Sequence, residues 1–208
     1  MQNVVLYIKV LNNVMNLHEL VKTVLGIERT GLTKVRLAKT LYFVHKELVR
    51  DDLSTIDDIR FVRMPLGPVP VGFMTLNADC SDIIVTKINN AGLLYNSELY
   101  SVKQRIKWLK KDTHTTKAAS SIDRTLQKLR HLKTSELVEL SHEEPSWKKF
   151  KNGEEYVIEP TDLNNVLPIA QRSPRLDSDD NLLQASLVRG MLDDIVQEST
   201  DLEYPDAS

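Results

Sequence analysis

The chain has one cysteine, Cys80. No disulfide can form within it, and no thiolate zinc site can be built from a single sulfur. Asp79 and Asp82 flank that cysteine and disfavour a thiolate, so Cys80 reads as a small packed residue and not as a nucleophile. The glycines are too few and too scattered for a phosphate loop, and no Gly-rich turn is followed by Lys-Ser or Lys-Thr. The dinucleotide fingerprint, Gly-Xaa-Ser-Xaa-Gly and His-Glu-Xaa-Xaa-His are absent as well. Neither sign of charge dominates: the net charge is -2 and the pI about 6.2, with no global pull toward nucleic acid or membrane. Long apolar runs are missing, and Met1–Ile8 carries neither a basic n-region nor a small-residue cleavage site. These absences lead us to expect a soluble, cytoplasmic protein without metal or cofactor, and with no nucleic-acid or membrane partner.

What is present is ordinary globular composition, 41% hydrophobic and 27% charged over 208 residues. From Asn3 to Leu25 apolar residues recur every three or four positions, which predicts helix, with Asn12-Asn13 as a candidate break. Thr33 is a fair N-cap for a second helix reaching about Arg50. Its predicted buried face is Val35, Ala38, Leu41, Tyr42, His45, Leu48 and Val49. Lys34, Arg36, Lys39, Lys46 and Glu47 are predicted to face water. Ile59–Met64 alternates like a short extended segment, and Pro65, Gly67, Pro68 and Pro70 then enforce a stiff turn leading to a short helix near 71–77. Ile83–Ile88 is β-rich, Asn89–Gly92 a turn, and Leu93–Tyr95 the expected return. Helices are predicted from about Ser120 to Lys133 and from Thr134 to Leu140. A last short one opens on Pro145 and carries Trp147 and Phe150. Past Gly153 a proline-spaced polar stretch precedes an amphipathic helix at about 178–199, with Leu183, Leu187, Met191 and Ile195 on one face.

Charge is divided unevenly. Residues 101–151 hold 13 Lys and Arg against 6 Asp and Glu, and residues 174–208 hold 2 against 9. The two segments either attract each other or form ordinary solvated surface. The basic run around Trp108 reads as lysine and arginine stems laid over a half-buried ring. His45, on an apolar helix face, reads as a core histidine. His142, beside Ser141, Glu143 and Trp147, is the one candidate for acid–base chemistry, with a helix-end packing role as the simpler reading.

Three segments taken together carry a resemblance. Leu37-Ala38-Lys39-Thr40-Leu41-Tyr42-Phe43, then Gly67-Pro68-Val69, then Leu140-Ser141-His142 with Pro145-Ser146-Trp147, resemble the Panacea domain over roughly Val14 to Phe150. That family includes SocA-type antitoxins and prophage-associated proteins. Its helix motif usually reads Leu-Gln-Lys-Leu-Leu-Tyr, so Ala38 and Thr40 are departures here. The resemblance implies a predominantly helical α+β domain with a small antiparallel sheet or hairpin, placed at 1–153, followed by a C-terminal extension at 154–208. It also implies a non-enzymatic antitoxin that binds and neutralises a toxin encoded beside it. The alternatives are an adaptor that hands the toxin to a protease and a hydrolase built on His142. The partner-binding residues expected are Gly67, Pro68, Val69, His142 and Trp147, with Leu183, Leu187, Met191 and Ile195 of the C-terminal helix. A homodimer through that helix is a further expectation.

Overall fold

The computed structural model describes residues 16–28, 30–53, 59–76, 82–89, 96–103 and 113–164. Helix α1 spans Leu17–Ile27 and is started by Asn16, whose side chain accepts the Glu19 amide at 3.0 Å. Strand β1, Leu32–Thr33, leads directly into helix α2, Lys34–Arg50. Strands β2, Phe61–Val62, and β3, Val69–Pro70, flank the proline turn. A 3-10 turn, Phe73–Thr75, followed by a helical Leu76, stands in the described part of the short helix expected near 71–77. Strands β4, Ile83–Asn89, and β5, Asn96–Val102, form a hairpin. The predicted return at Leu93–Tyr95 lies outside the described residues. Helices α3, Thr113–Leu129, α4, Thr134–His142, and α5, Pro145–Lys149, follow, then strand β6, Glu155–Tyr156, and a 3-10 turn, Pro160–Asn164.

The strands make two antiparallel three-stranded sheets, ordered β1-β5-β4 and β3-β2-β6. In the second, Phe61 pairs with both Pro70 and Tyr156. Tyr156 and Ile158 belong to the core, so the packed unit runs past Gly153, the expected end of the domain. The fold is α+β and predominantly helical, as the sequence predicted.

Helix α2 is the axis of the core and packs against α3, α4, β3 and β5. Leu37, Ala38, Leu41, Tyr42, Phe43, Val44, His45 and Leu48 are all buried, so apolar residues surround this helix on every side, the pattern of a core helix. The expected wet face is therefore corrected. Lys39 is 1% exposed, Lys46 2% and Glu47 3%, because neighbouring elements close over the side that an amphipathic surface helix would leave to solvent. Arg36 is half-buried too. Its guanidinium donates to the carbonyls of Leu129 and Leu132, each at 2.9 Å, and so ties α2 to the end of α3 and the turn that follows it. Val35 and Val49, expected in the core, are only partly covered.

Helix α3 begins at Thr113, earlier than the predicted Ser120, and places Ile122, Leu126 and Leu129 inward as expected. In α4 the Glu136 carboxylate accepts the Lys133 backbone N–H at 2.6 Å, holding the entry to the helix. The candidate helix at 178–199 lies outside the described residues.

Phe61 joins the second sheet to α2: its ring meets Tyr42 edge-on at 5.2 Å and lies 5.7 Å from His45 and 6.3 Å from Tyr156. Phe61→Ala is expected to cost about 3–5 kcal/mol in urea denaturation, whereas Met74→Ala, on the exposed 3-10 turn, should stay within about 0.5 kcal/mol. Equal shifts in the two variants would contradict this placement of the core.

Candidate functional site

Lys39, Tyr42 and Lys46 lie three and four residues apart along α2, so they form one stripe on the helix. The stripe faces the proline turn at one end and the α4–α5 junction at the other. All three are buried, and each polar head finds a partner there.

At the first end, Lys39 Nζ donates to the Pro68 carbonyl at 2.8 Å. Among the described residues no carboxylate pairs with it. Burial alone holds the amine well below its ordinary value of 10.5. Gly67 precedes Pro68 with φ at +89°, and its N–H closes the turn on the Met64 carbonyl at 2.8 Å. A β-carbon on Gly67 would overlap the Ser141 hydroxyl and come within 3.0 Å of Lys39 Nζ, so only glycine fits on both counts. The Ser141 hydroxyl is buried and donates to the Val138 carbonyl at 2.7 Å, one turn back in α4.

Beside the turn stands an aromatic stack. His142 lies on Trp147 with ring centroids 4.2 Å apart, and the Arg63 guanidinium sits over the same indole at 4.0 Å. Trp147 Nε1 donates to the Met64 carbonyl at 3.1 Å, and Arg63 Nε donates to the Trp147 carbonyl at 3.1 Å. These bonds tie α5 to the strand that enters the turn. The His142 ring bonds the Pro65 carbonyl, yet its pKa is lowered, first by burial and then by the positive charge of Lys39. Its Nε2 is buried with no hydrogen-bond partner among the described residues.

At the second end, Lys46 forms an ion pair with Glu144, and the Tyr42 hydroxyl bonds Ser146 Oγ at 2.8 Å and Glu144 Oε2 at 3.4 Å. Burial pushes the Glu144 carboxyl up, while Lys46 and Tyr42 pull it down. Glu144 is the residue that enters α5, so this network fixes where the short helix starts.

The structure thus brings five of the expected residues into one cluster: Gly67, Pro68, Val69, His142 and Trp147. Gly67 and Pro68 are buried, whereas Val69, His142 and Trp147 keep part of their surface. Leu183, Leu187, Met191 and Ile195 lie outside the described residues. Reading the sequence missed Lys39, Lys46, Ser141 and Glu144 as members of the cluster. The three-and-four spacing of two lysines around a tyrosine is the available signal, and the rule that lysines mark a wet face hides it. Chemically, the cluster has a hydroxyl, an amine and an imidazole close together. The hydroxyl proton goes to a main-chain carbonyl and not to His142, so the geometry is that of an interlock and not of an activated nucleophile.

The family model for antitoxin SocA-like proteins with a Panacea domain matches residues 37–148. That span covers more than half of the chain and runs from the start of the lysine stripe to the end of the tryptophan helix. The chain belongs to this family. No curated protein and no solved structure matches it. Among the described residues no helix is long and apolar enough to cross a membrane.

Two predictions come from this geometry. Gly67→Ala should destabilise by more than about 2 kcal/mol, and Ser141→Ala in the same chain should recover part of that by opening space. Additive losses would contradict the packing of the hydroxyl against the turn. The second concerns pH. With the folded pKa of His142 below 6.5, the unfolded chain binds more protons near that value. The stability this adds is present in full above 6.5 and is lost as pH falls through the folded value. His142→Gln should therefore flatten the fall in stability below neutral pH, measured by urea midpoints across pH 5 to 8, roughly the range over which histidine titrates. An unchanged slope would remove His142 from the account.

Proposed function

We propose that the protein neutralises a cognate toxin by direct, stoichiometric binding, and that the toxin is encoded beside it and met in the cytoplasm. The observation that carries this is the coincidence of the family match with the interlocked cluster. The matched span begins at Leu37 and ends at Lys148, and the residues inside it converge on one rigid turn whose reactive atoms are spent on the fold's own backbone. A turn held at a fixed φ and bonded from three sides loses little entropy when a partner binds. The partly exposed edges of Val69, His142 and Trp147, carried by Gly67 and Pro68, supply a fixed contact surface. Leu183, Leu187, Met191 and Ile195, in the helix expected at 178–199, supply the part that selects a particular toxin, in the manner of an amphipathic helix laid in a groove.

The test is co-expression with the neighbouring gene product. Growth arrest by that product alone, relieved when the two are made together and accompanied by a purifiable complex, is the expected result. Leu187→Asp with Met191→Asp should abolish relief while leaving the fold intact by circular dichroism. A toxin half-life that falls only when a protease is also present would replace binding by delivery to that protease. His142→Gln separates binding from hydrolysis: removal of a general acid–base residue costs about 10²–10⁴-fold, whereas a binding surface tolerates the change far better. Relief lost to that extent, with a detectable hydrolysed product, would overturn the binding mechanism.

A further inference from the structure

The β4–β5 hairpin has features that the toxin-binding reading does not use. In the sheet ordered β1-β5-β4, β4 is the edge strand, and among the described residues no strand pairs with its outer side. The Lys103 N–H donates to the Asp82 carbonyl at 3.1 Å, and the register pairs Ile83 with Val102 through to Asn89 with Asn96. Hydrogen-bonded pairs alternate along an antiparallel ladder. Asp82, Ile84, Thr86 and Ile88 therefore turn their main-chain groups toward β5, and Ile83, Val85, Lys87 and Asn89 turn theirs to the open edge. Side chains alternate too, so Ile84, Thr86 and Ile88 share the solvent face. Ile84 is 39% exposed and Ile88 37%, two of the three exposed large apolar side chains among the described residues.

We propose that two copies of this chain pair edge to edge through β4, antiparallel about a twofold axis at Thr86, which joins their sheets into one. The sequence of the strand is complementary to itself in that register and in no neighbouring one. With the axis at Thr86, the outward-turned Val85 and Lys87 meet Lys87 and Val85 of the second copy as hydrogen-bonded pairs. Ile84 then falls opposite Ile88, Thr86 opposite Thr86, and Ile88 opposite Ile84. These are the non-hydrogen-bonded pairs, where side chains approach most closely, so the exposed isoleucines cover each other. A shift that centres on Lys87 sets two ammonium groups directly opposite. A shift that centres on Val85 sets each Ile84 on a threonine and each Ile88 opposite the charged Asp82. The chain's net charge of only -2 opposes self-association little. This dimer is distinct from the expected pairing through the C-terminal helix, and it stands or falls independently of the antitoxin reading.

The experiment uses the full chain carrying Cys80→Ser, with Thr86→Cys added. In the proposed register the two introduced thiols sit on a pair with Cα atoms about 4.5 Å apart, within the range a disulfide spans. Mild oxidation should give a covalent dimer. Lys87→Cys in the same background should not, because its two copies are then diagonal, about 7–8 Å apart. In the chain without added cysteine, sedimentation should show a dimer fraction rising with concentration, and the Val85 and Lys87 amides should gain exchange protection with it. Lys87→Pro removes only an outward N–H and should weaken the dimer about tenfold or more, the loss expected for two symmetry-related bonds. Ile88→Lys, which keeps the β4–β5 ladder, should weaken it also and guards against a proline that unfolds the hairpin. Equal cross-linking at positions 86 and 87 would overturn the register. A monomer at every concentration, with freely exchanging Val85 and Lys87 amides, would overturn the proposal. Protection of those amides only in the presence of a toxin would overturn it in favour of a strand from the toxin.

Discussion

The position of one buried amine organises the centre of this domain. Lys39 lies inside the protein, with the Pro68 carbonyl as acceptor and no carboxylate to pair with it among the described residues. Taking an amine out of water is costly unless it is bonded or loses its charge, and burial moves Lys39 toward the neutral form. The bond to Pro68 exists only because the turn brings a proline carbonyl over the helix. The turn can approach that closely only because Gly67 has no side chain to strike Lys39 and Ser141. Helix α2, the proline turn and α4 thus meet at one point, and none of the three can move without exposing or unpairing the amine.

A second polar lock one turn further along the same stripe makes the arrangement directional. Lys46 and Tyr42 reach Glu144 and Ser146 at the start of α5, while Lys39 reaches the turn. Apolar packing alone would let α2 slide or rotate against its neighbours at small cost, because one leucine contact resembles the next. Two lysines at fixed spacing, each with a separate buried acceptor, accept only one axial position. A buried ion pair is weak evidence for net stability, since its desolvation offsets much of its attraction, but breaking one side of it is expensive. The use of Lys46 and Glu144 is therefore better understood as registration of α2 against the α4–α5 junction. Trp147 extends that registration outward: covered by His142 and Arg63 and bonded to Met64, it fixes the strand entering the turn to the helix that follows Glu144.

Much of this was legible in the residue pattern, and the parts that were not have a common cause. The 34–50 helix, the stiff turn at Gly67 and the proline-led helix at Pro145 follow from local rules that act within a few residues, although Thr33, at the helix start as expected, makes no side-chain capping bond. The β-rich run at Ile83–Ile88 followed from β-branched composition, whereas the strand described opposite it is Asn96–Val102, beyond the expected return. What failed was the assignment of Lys39, Lys46 and Glu47 to solvent, because burial is set by elements far away in sequence. Lys39 is 29 residues from its acceptor and Lys46 98 from its carboxylate. Charged residues on a helix are usually wet, and only a partner supplied by the tertiary fold reverses that rule. The partners of Ser141 and Glu144 were invisible for the same reason. Of their neighbours only His142 drew notice as chemistry, with helix-end packing as the simpler reading, and its ring does stack on Trp147 beside the turn.

This division of labour bears on which positions of the domain can vary. When the interior is held by directional polar bonds, the outer surface does not have to contribute to the fold's uniqueness. Residues there can change with little effect on the position of the backbone beneath them. The cost is that the interior tolerates almost no change at Gly67, where conformation and space are both limiting, and little at Lys39 or Glu144, where a lost partner strands a buried polar group. The departures at Ala38 and Thr40 fit that view. Both are buried on α2, but neither belongs to the stripe of Lys39, Tyr42 and Lys46, so they alter packing without removing a buried bond. Variation on this scaffold is thus permitted by geometry in proportion to distance from the lysine stripe and from the buried partners that hold it, Pro68, Glu144 and Ser146.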